Sequence, residues 1–127
     1  SGYHAKIISR IVKKKGTVYS VERHKELKDR AEKNLKNAEI KNVFVRFGDG
    51  SEGLPDFKLY DRIYVTCAAP KIPVPLIKQL NDPGILLIPV GNMFCELEKV
   101  EKKDGKIKIK NICGCAFVPL IGKYGHK

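Results

Sequence analysis

The stretch Thr17-Val18-Tyr19-Ser20-Val21-Glu22-Arg23 constrains the fold more than any other. Its β-formers Val18, Tyr19 and Val21 follow Gly16, and the run stops at an acid. His24 to Glu39 then reads as a helix, with Leu27, Ala31, Leu35 and Ala38 on one face and Lys and Glu over the rest. Asn42 to Phe47 is a second strand, ending in Gly48-Asp49-Gly50. Strand, helix and strand in close succession imply a parallel pair in an α/β fold. In such folds ligands bind outside the carboxyl ends of the strands, where a carboxylate can accept hydrogen bonds from both hydroxyls of a ribose. Glu22 stands at that position. An exposed acid at a strand end satisfies the same local pattern, so the neighbouring segments have to decide.

Before this stretch, Ala5, Ile7, Ile8, Ile11 and Val12 are spaced as the buried stripe of a helix, closed by Lys13-Lys14-Lys15 and Gly16. After it, Leu59 to Thr66 predicts a third strand running into Cys67-Ala68-Ala69-Pro70, and Pro73 to Leu80 a short helix. Asn81-Asp82-Pro83-Gly84 reads as a turn, and Ile85 to Val90 as an apolar strand for a sheet interior. Glu96 to Glu101 and Lys106 to Ile112 form a hairpin around Lys103-Asp104-Gly105, and Ala116 to Ile121 reads as a last strand. Alternating strands and helices finishing in a hairpin indicate a parallel sheet with an antiparallel edge. The 127 residues are expected to make a single domain.

The net charge of +11 raises the question of nucleic acid. The lysines are spread along the whole chain, however, and no aromatics interleave with them as a base-stacking surface requires. A solvated lysine-rich surface is the better account, and no nucleic-acid partner is expected. No apolar run approaches the ~20 residues of a membrane span, and no secretory signal opens the chain. Cys67, Cys95, Cys113 and Cys115 lack a Cys-x-x-Cys pattern and are expected as reduced, mostly buried thiols in a cytoplasmic protein, without a metal.

Several short segments have the composition of a ligand site. Ser1-Gly2-Tyr3-His4 opens directly onto a helix, where small residues permit close backbone approach. Gly48-Asp49-Gly50 places an acid at a strand end, able to bond an adenine amino group or simply to make a turn. Ala68-Ala69-Pro70 leaves room for a substrate, as a tight connection also would.

Together these residues resemble one family, the protein-L-isoaspartate O-methyltransferases. The resemblance rests on SGYHA (Ser1 to Ala5), VYSVER (Val18 to Arg23), GDGSEGLP (Gly48 to Pro55), YDRIYVTCAAP (Tyr60 to Pro70), PGILLIPVG (Pro83 to Gly91) and FVPLIG (Phe117 to Gly122), in the family's order and spacing over essentially all of the chain. It implies a Rossmann-like class I methyltransferase that uses S-adenosylmethionine to methylate the carboxylate of L-isoaspartyl residues in damaged proteins. By resemblance, Ser1, Gly2 and Tyr3 correspond to the end of the cofactor's glycine loop, and Glu22 to the acid on the ribose, with Arg23 beside it. Gly48, Asp49 and Gly50 correspond to the adenine contact. Ala69 and Pro70, with Val118, Pro119 and Leu120, correspond to segments flanking the peptide substrate.

The family has a further N-terminal portion with no counterpart in these 127 residues. It holds the strand before the glycine loop, the loop's first glycines, and a Thr-Ile-Ser-like segment that supplies the serine assigned to the active site. The resemblance thus implies a partial domain, the C-terminal two-thirds, whose catalytic serine lies upstream of Ser1. No general base is assigned to His4, His24 or His126, because the acceptor is already a carboxylate. The absent strand would lie centrally, between those ending at Val21 and Thr66. Three or four of its buried side chains would supply roughly 5–12 kcal/mol, so the 127 residues alone are expected not to catalyse transfer. A monomer is expected. The alternatives are a methyltransferase acting on another acceptor, or a non-catalytic basic binding module that kept the cofactor fold.

Overall fold

A computed structural model of the chain describes residues 1–54, 56 and 58–127. Pro55, the last residue of the GDGSEGLP motif, lies outside the described residues, as does Phe57. The chain forms two compact units, Ser1–Gly50 and Ser51–Lys127.

The first unit holds helix α1 (Tyr3–Val12), strand β1 (Val18–Glu22), helix α2 (Lys25–Asn37) and strand β2 (Val43–Phe47). β1 and β2 pair in parallel, Val18 opposite Val43 through Glu22 opposite Phe47. On α2, Ala31 and Leu35 are buried against Val45, with Ile40 and Val43 packed alongside. Residue 39 ends this helix in a left-handed conformation usually taken by glycine, at φ 55°. There Ile40 N–H bonds to the Leu35 carbonyl at 3.0 Å and Glu39 N–H to that of Lys36 at 3.0 Å, so the last turn's carbonyls are satisfied while Ile40 packs into the core. Asn42 performs the equivalent service for α1. Its Nδ2 donates to the carbonyls of Lys13 at 2.9 Å and Gly16 at 3.0 Å, and its Oδ1 accepts from Ser9 Oγ at 2.8 Å.

The second unit is built on strands β3 (Tyr60–Tyr64), β4 (Leu80–Gly91), β5 (Cys95–Lys103) and β6 (Lys106–Cys115), in that spatial order, with helix α3 (Val74–Lys78) before β4. β3 and β4 are parallel; β4–β5 and β5–β6 are antiparallel. Leu80, Leu86, Ile88 and Val100 are completely buried and form the core with Ala69, Leu76 and Leu120. Among the described residues no ladder joins the β1–β2 sheet to the four-stranded one, so β1 and β3 each keep one edge without a strand partner. The α/β arrangement with an antiparallel C-terminal hairpin is the expected one.

Three local expectations are corrected. Asn81 to Gly84 is a bulge inside β4 rather than a turn before it: Tyr60 pairs with Leu80 but Arg62 with Ile85. The Asp82 carboxylate accepts from the N–H groups of Asp104 at 2.9 Å and Gly105 at 2.7 Å, so the bulge grips the β5–β6 turn, whose Asp104 and Gly105 both have positive φ. Residues 116–121 form no strand. They contribute two isolated parallel bridges, Pro119 opposite Ala68 and Ile121 opposite His126, and Pro119 has no N–H to extend a ladder. Finally, Cys113 is exposed, because β6 is an edge strand with solvent over much of its length.

On β5, burial and then the neighbouring Glu96 push the Glu98 carboxyl above its ordinary pKa. An acid with a raised folded-state pKa binds its proton more tightly folded than unfolded, so its ionisation reduces stability as pH rises through the folded value. Glu98→Gln is therefore expected to raise the urea midpoint at about pH 7 and to leave it unchanged at about pH 3.5, where both states of the acid are protonated. Equal midpoints at both pH values would mean that Glu98 ionises without penalty.

Candidate functional site

β1 and β2 are parallel, so their carboxyl ends lie side by side, and the ladder continues past them: Gly48 N–H donates to the Glu22 carbonyl at 3.1 Å. This brings Glu22 and Gly48-Asp49-Gly50 to adjacent strand ends. Glu22 is half-buried. Its Oε1 accepts from the His24 N–H at 3.0 Å, at the N-cap of α2, and among the described residues its Oε2 has no partner. Arg23 is exposed. Among the described residues, a methyl group on Gly48 or Gly50 would meet only Val21, at 3.9–4.0 Å, so they leave the space above both glycines open. A carboxylate with a free oxygen beside an open glycine loop fits a ligand that presents a diol next to a flat ring.

Ser1, Gly2 and Tyr3 lie at the start of α1 in the same unit. Gly2 is its N-cap, left-handed at φ 77°, and a Cβ there would lie 3.3 Å from both the Ala31 carbonyl oxygen and Leu35 Cγ. The glycine is thus required by a close approach to α2 as well as by its backbone conformation. Asn34 Nδ2 donates to the Ser1 carbonyl at 3.1 Å, fixing the same junction. Tyr3 is exposed.

The expected substrate residues all belong to the second unit, and the fold gathers them. Ala68 N–H donates to the Val118 carbonyl and Leu120 N–H to the Ala68 carbonyl, both at 2.8 Å. Ala69 bridges to Val90 on its other side. Ala69 and Leu120 are buried, whereas Pro70, Val118 and Pro119 face solvent with Phe117.

Sequence reasoning missed the residues that hold these loops. Ser51 is fully buried, and its Oγ accepts from the Tyr124 N–H at 3.0 Å, while Lys123 pairs with Glu52 at 3.1 Å. Gln79 accepts from the Leu54 N–H at 2.9 Å and donates back to the Leu54 carbonyl. The C-terminal tail and α3 thereby pin the loop of residues 51–54. A serine between glycines was the only local signal. Asp61, a strand-end acid, accepts from Asn81 Nδ2 at 2.9 Å beside the β4 bulge. Among the described residues no group of His, Cys, Asp or Glu is arranged to hold a metal ion, and no helix is long and apolar enough to cross a membrane.

Comparison with known proteins bears on the family. The family model described as protein-L-isoaspartate(D-aspartate) O-methyltransferase matches residues 1–125. A protein-L-isoaspartate O-methyltransferase of Methanocella arvoryzae is 52% identical over 126 residues, covering 99% of this chain and 67% of its own. One from Pyrococcus horikoshii is 52% identical over 130 residues, with 100% of this chain and 58% of its own covered. A solved protein-L-isoaspartate O-methyltransferase superposes with a TM-score of 0.89 at 31% identity, over 98% of this chain and 40% of that one. A second structure, a protein-L-isoaspartate O-methyltransferase from Plasmodium falciparum in complex with S-adenosyl-L-homocysteine, gives a TM-score of 0.73 at 25% identity, over 83% of this chain and 52% of that one. The chain spans only 53–67% of the curated relatives it matches. With a family model covering residues 1–125 and relatives half identical along its whole length, the chain belongs to the protein-L-isoaspartate(D-aspartate) O-methyltransferase family.

Proposed function

We propose that this protein transfers a methyl group from S-adenosylmethionine to the free carboxylate of L-isoaspartyl residues in damaged proteins, as part of protein repair. The observation that carries the cofactor half is the pair of adjacent parallel strand ends, with Glu22 on one and Gly48-Asp49-Gly50 on the other. Glu22 binds the ribose hydroxyls, Arg23 flanks them, and Asp49 between its two glycines takes the adenine amino group. Ser1, Gly2 and Tyr3 approach the methionine end. Bound S-adenosylmethionine supplies an electrophilic methyl on a sulfonium. Transfer to a carboxylate needs no strong base and is largely a matter of proximity and orientation. Ala69, Pro70, Val118, Pro119 and Leu120 line the acceptor side. Residues 1–127 form one partial cofactor-binding domain, a reading supported by one family model running through both compact units. The protein acts as a monomer in the cytoplasm, a compartment in keeping with its four free cysteines.

The test is transfer of labelled methyl to an isoaspartyl peptide and to the same peptide carrying ordinary aspartate. It is run on residues 1–127 completed with the N-terminal segment of a relative, because residues 1–127 by themselves are expected not to catalyse transfer. Label on the isoaspartyl peptide alone is the expected result. Equal labelling of both, or of neither, would remove the assignment.

A further inference from the structure

Three of the four cysteines come together on one face of the β4–β5–β6 sheet, outside both residue sets described above. Cys95 opens β5 and stands opposite Cys115, the last residue of β6; Leu97 stands opposite Cys113. Residues opposed in an antiparallel ladder project to the same side, and residues two apart in a strand share that side. Cys95, Leu97, Cys113 and Cys115 therefore share a face, the one away from buried Val100. All three thiols are free; Cys95 is buried, Cys115 half-buried and Cys113 exposed. The Cys95 thiol donates to the Asn92 carbonyl at 3.3 Å in the β4–β5 turn.

Geometry separates the possible pairs. Opposed residues in an antiparallel ladder have Cα atoms about 4.5–5.5 Å apart, inside the 4.4–6.8 Å window that disulfides occupy. Cys113 and Cys115, two residues apart on one extended strand, are separated by roughly 6.6 Å with parallel Cβ vectors, whereas a disulfide requires Cβ atoms about 3.8 Å apart. Cys95 with Cys115 is the pair that closes without moving the backbone.

We propose that Cys95 and Cys115 are a redox-modification site that closes to a reversible cross-strand disulfide when the protein meets a hydroperoxide. The more accessible Cys115 sulfur, as thiolate, attacks a peroxide oxygen; an S–O bond forms, the O–O bond breaks, and water leaves after protonation. The Cys95 sulfur then attacks the sulfenic sulfur, forming the S–S bond and expelling the hydroxyl, which departs as water with the Cys95 proton. Two thiols lose two electrons and one hydrogen peroxide becomes two waters. Burial, then the neighbouring Cys95, Cys113 and Glu96, push the Cys115 thiol above its ordinary pKa, so little of it is thiolate at neutral pH and the reaction needs a high peroxide concentration. The bond would tie the base of the β4–β5 turn to the strand that leads into residues 117–120.

The experiment exposes the purified protein to millimolar hydrogen peroxide, blocks remaining thiols by alkylation, and maps non-reduced tryptic peptides by mass spectrometry. The expected product links the peptide Gln79–Lys99 to Asn111–Lys123, two hydrogens lighter than their sum, and reverts with dithiothreitol. The link should persist in Cys113→Ser and disappear in Cys115→Ser, with a thermal melt confirming that each variant is folded. A link lost in Cys113→Ser and kept in Cys115→Ser would overturn the proposal. So would oxidation confined to Cys113 while Cys95 and Cys115 remain alkylatable.

Discussion

Glu22→Ala is expected to raise the dissociation constant for S-adenosylmethionine roughly 10- to 150-fold, the 1.5–3 kcal/mol of hydrogen bonds to a charged group. The argument is geometric. One carboxylate oxygen is committed to the His24 N–H at the start of α2, and the other has no partner among the described residues. Removing the side chain also removes a helix-terminal interaction, so a loss of stability of about 0.5–2 kcal/mol accompanies the substitution. Glu22→Gln separates the two effects. The amide oxygen still accepts from the His24 N–H, but the charge that strengthens bonds to ribose hydroxyls is gone. Calorimetry should find Glu22→Gln stable and weak in binding. Full affinity in a well-folded Glu22→Gln would take the ribose role from this residue.

The largest effect on stability is expected at Gly91, where β4 turns toward β5. Its φ of 139° lies in a region open essentially to glycine, and a Cβ would collide with the Phe94 carbonyl oxygen and lie 3.0 Å from Cys95 Cα. Backbone strain and overpacking each cost about 1–3 kcal/mol, so Gly91→Ala should cost roughly 3–5 kcal/mol. That is a large share of the stability of a small domain. Two further glycines calibrate the argument. Gly105 has φ 72° but nothing within 4 Å of a Cβ, so its alanine variant pays only the left-handed penalty of about 1–2 kcal/mol. Gly114 has neither strain nor contact, and its variant should fall within about 0.5 kcal/mol of wild type. Urea unfolding should rank the losses in that order, and a Gly91→Ala protein as stable as the Gly114 variant would contradict the hairpin geometry.

Much of the secondary structure was legible because its signals are local. The stripe of Leu27, Ala31, Leu35 and Ala38 marked α2, although only Ala31 and Leu35 are buried and Leu27 is exposed. β-Branched and aromatic runs marked β1 and β2, and Asp104-Gly105 marked the β5–β6 turn. Errors fell where a distant partner overrides local chemistry. Asn81 to Gly84 has the composition of a turn, yet Asp82 grips backbone groups 22 and 23 residues away and the segment stays within β4 as a bulge. Residues 116–121 have the composition of a strand, yet with Pro119 among them they make only isolated bridges, to Ala68 and to His126. Cys113 looked like a small core residue, and edge position alone exposes it.

The sequence by itself determined the α/β class, the order of elements and the family, since periodicity, turn residues and motif spacing are all carried along the chain. Only the tertiary structure decided that Glu22 and Gly48 are neighbours, that Asn42 closes the end of α1, and that Cys95 faces Cys115. These depend on strand register and on hydrogen bonds across 20 to 30 residues of chain. Register is chosen by the packing of whole faces, Val18 beside Val43 over α2 or Leu86 beside Val100 in the core, and no single segment contains that choice.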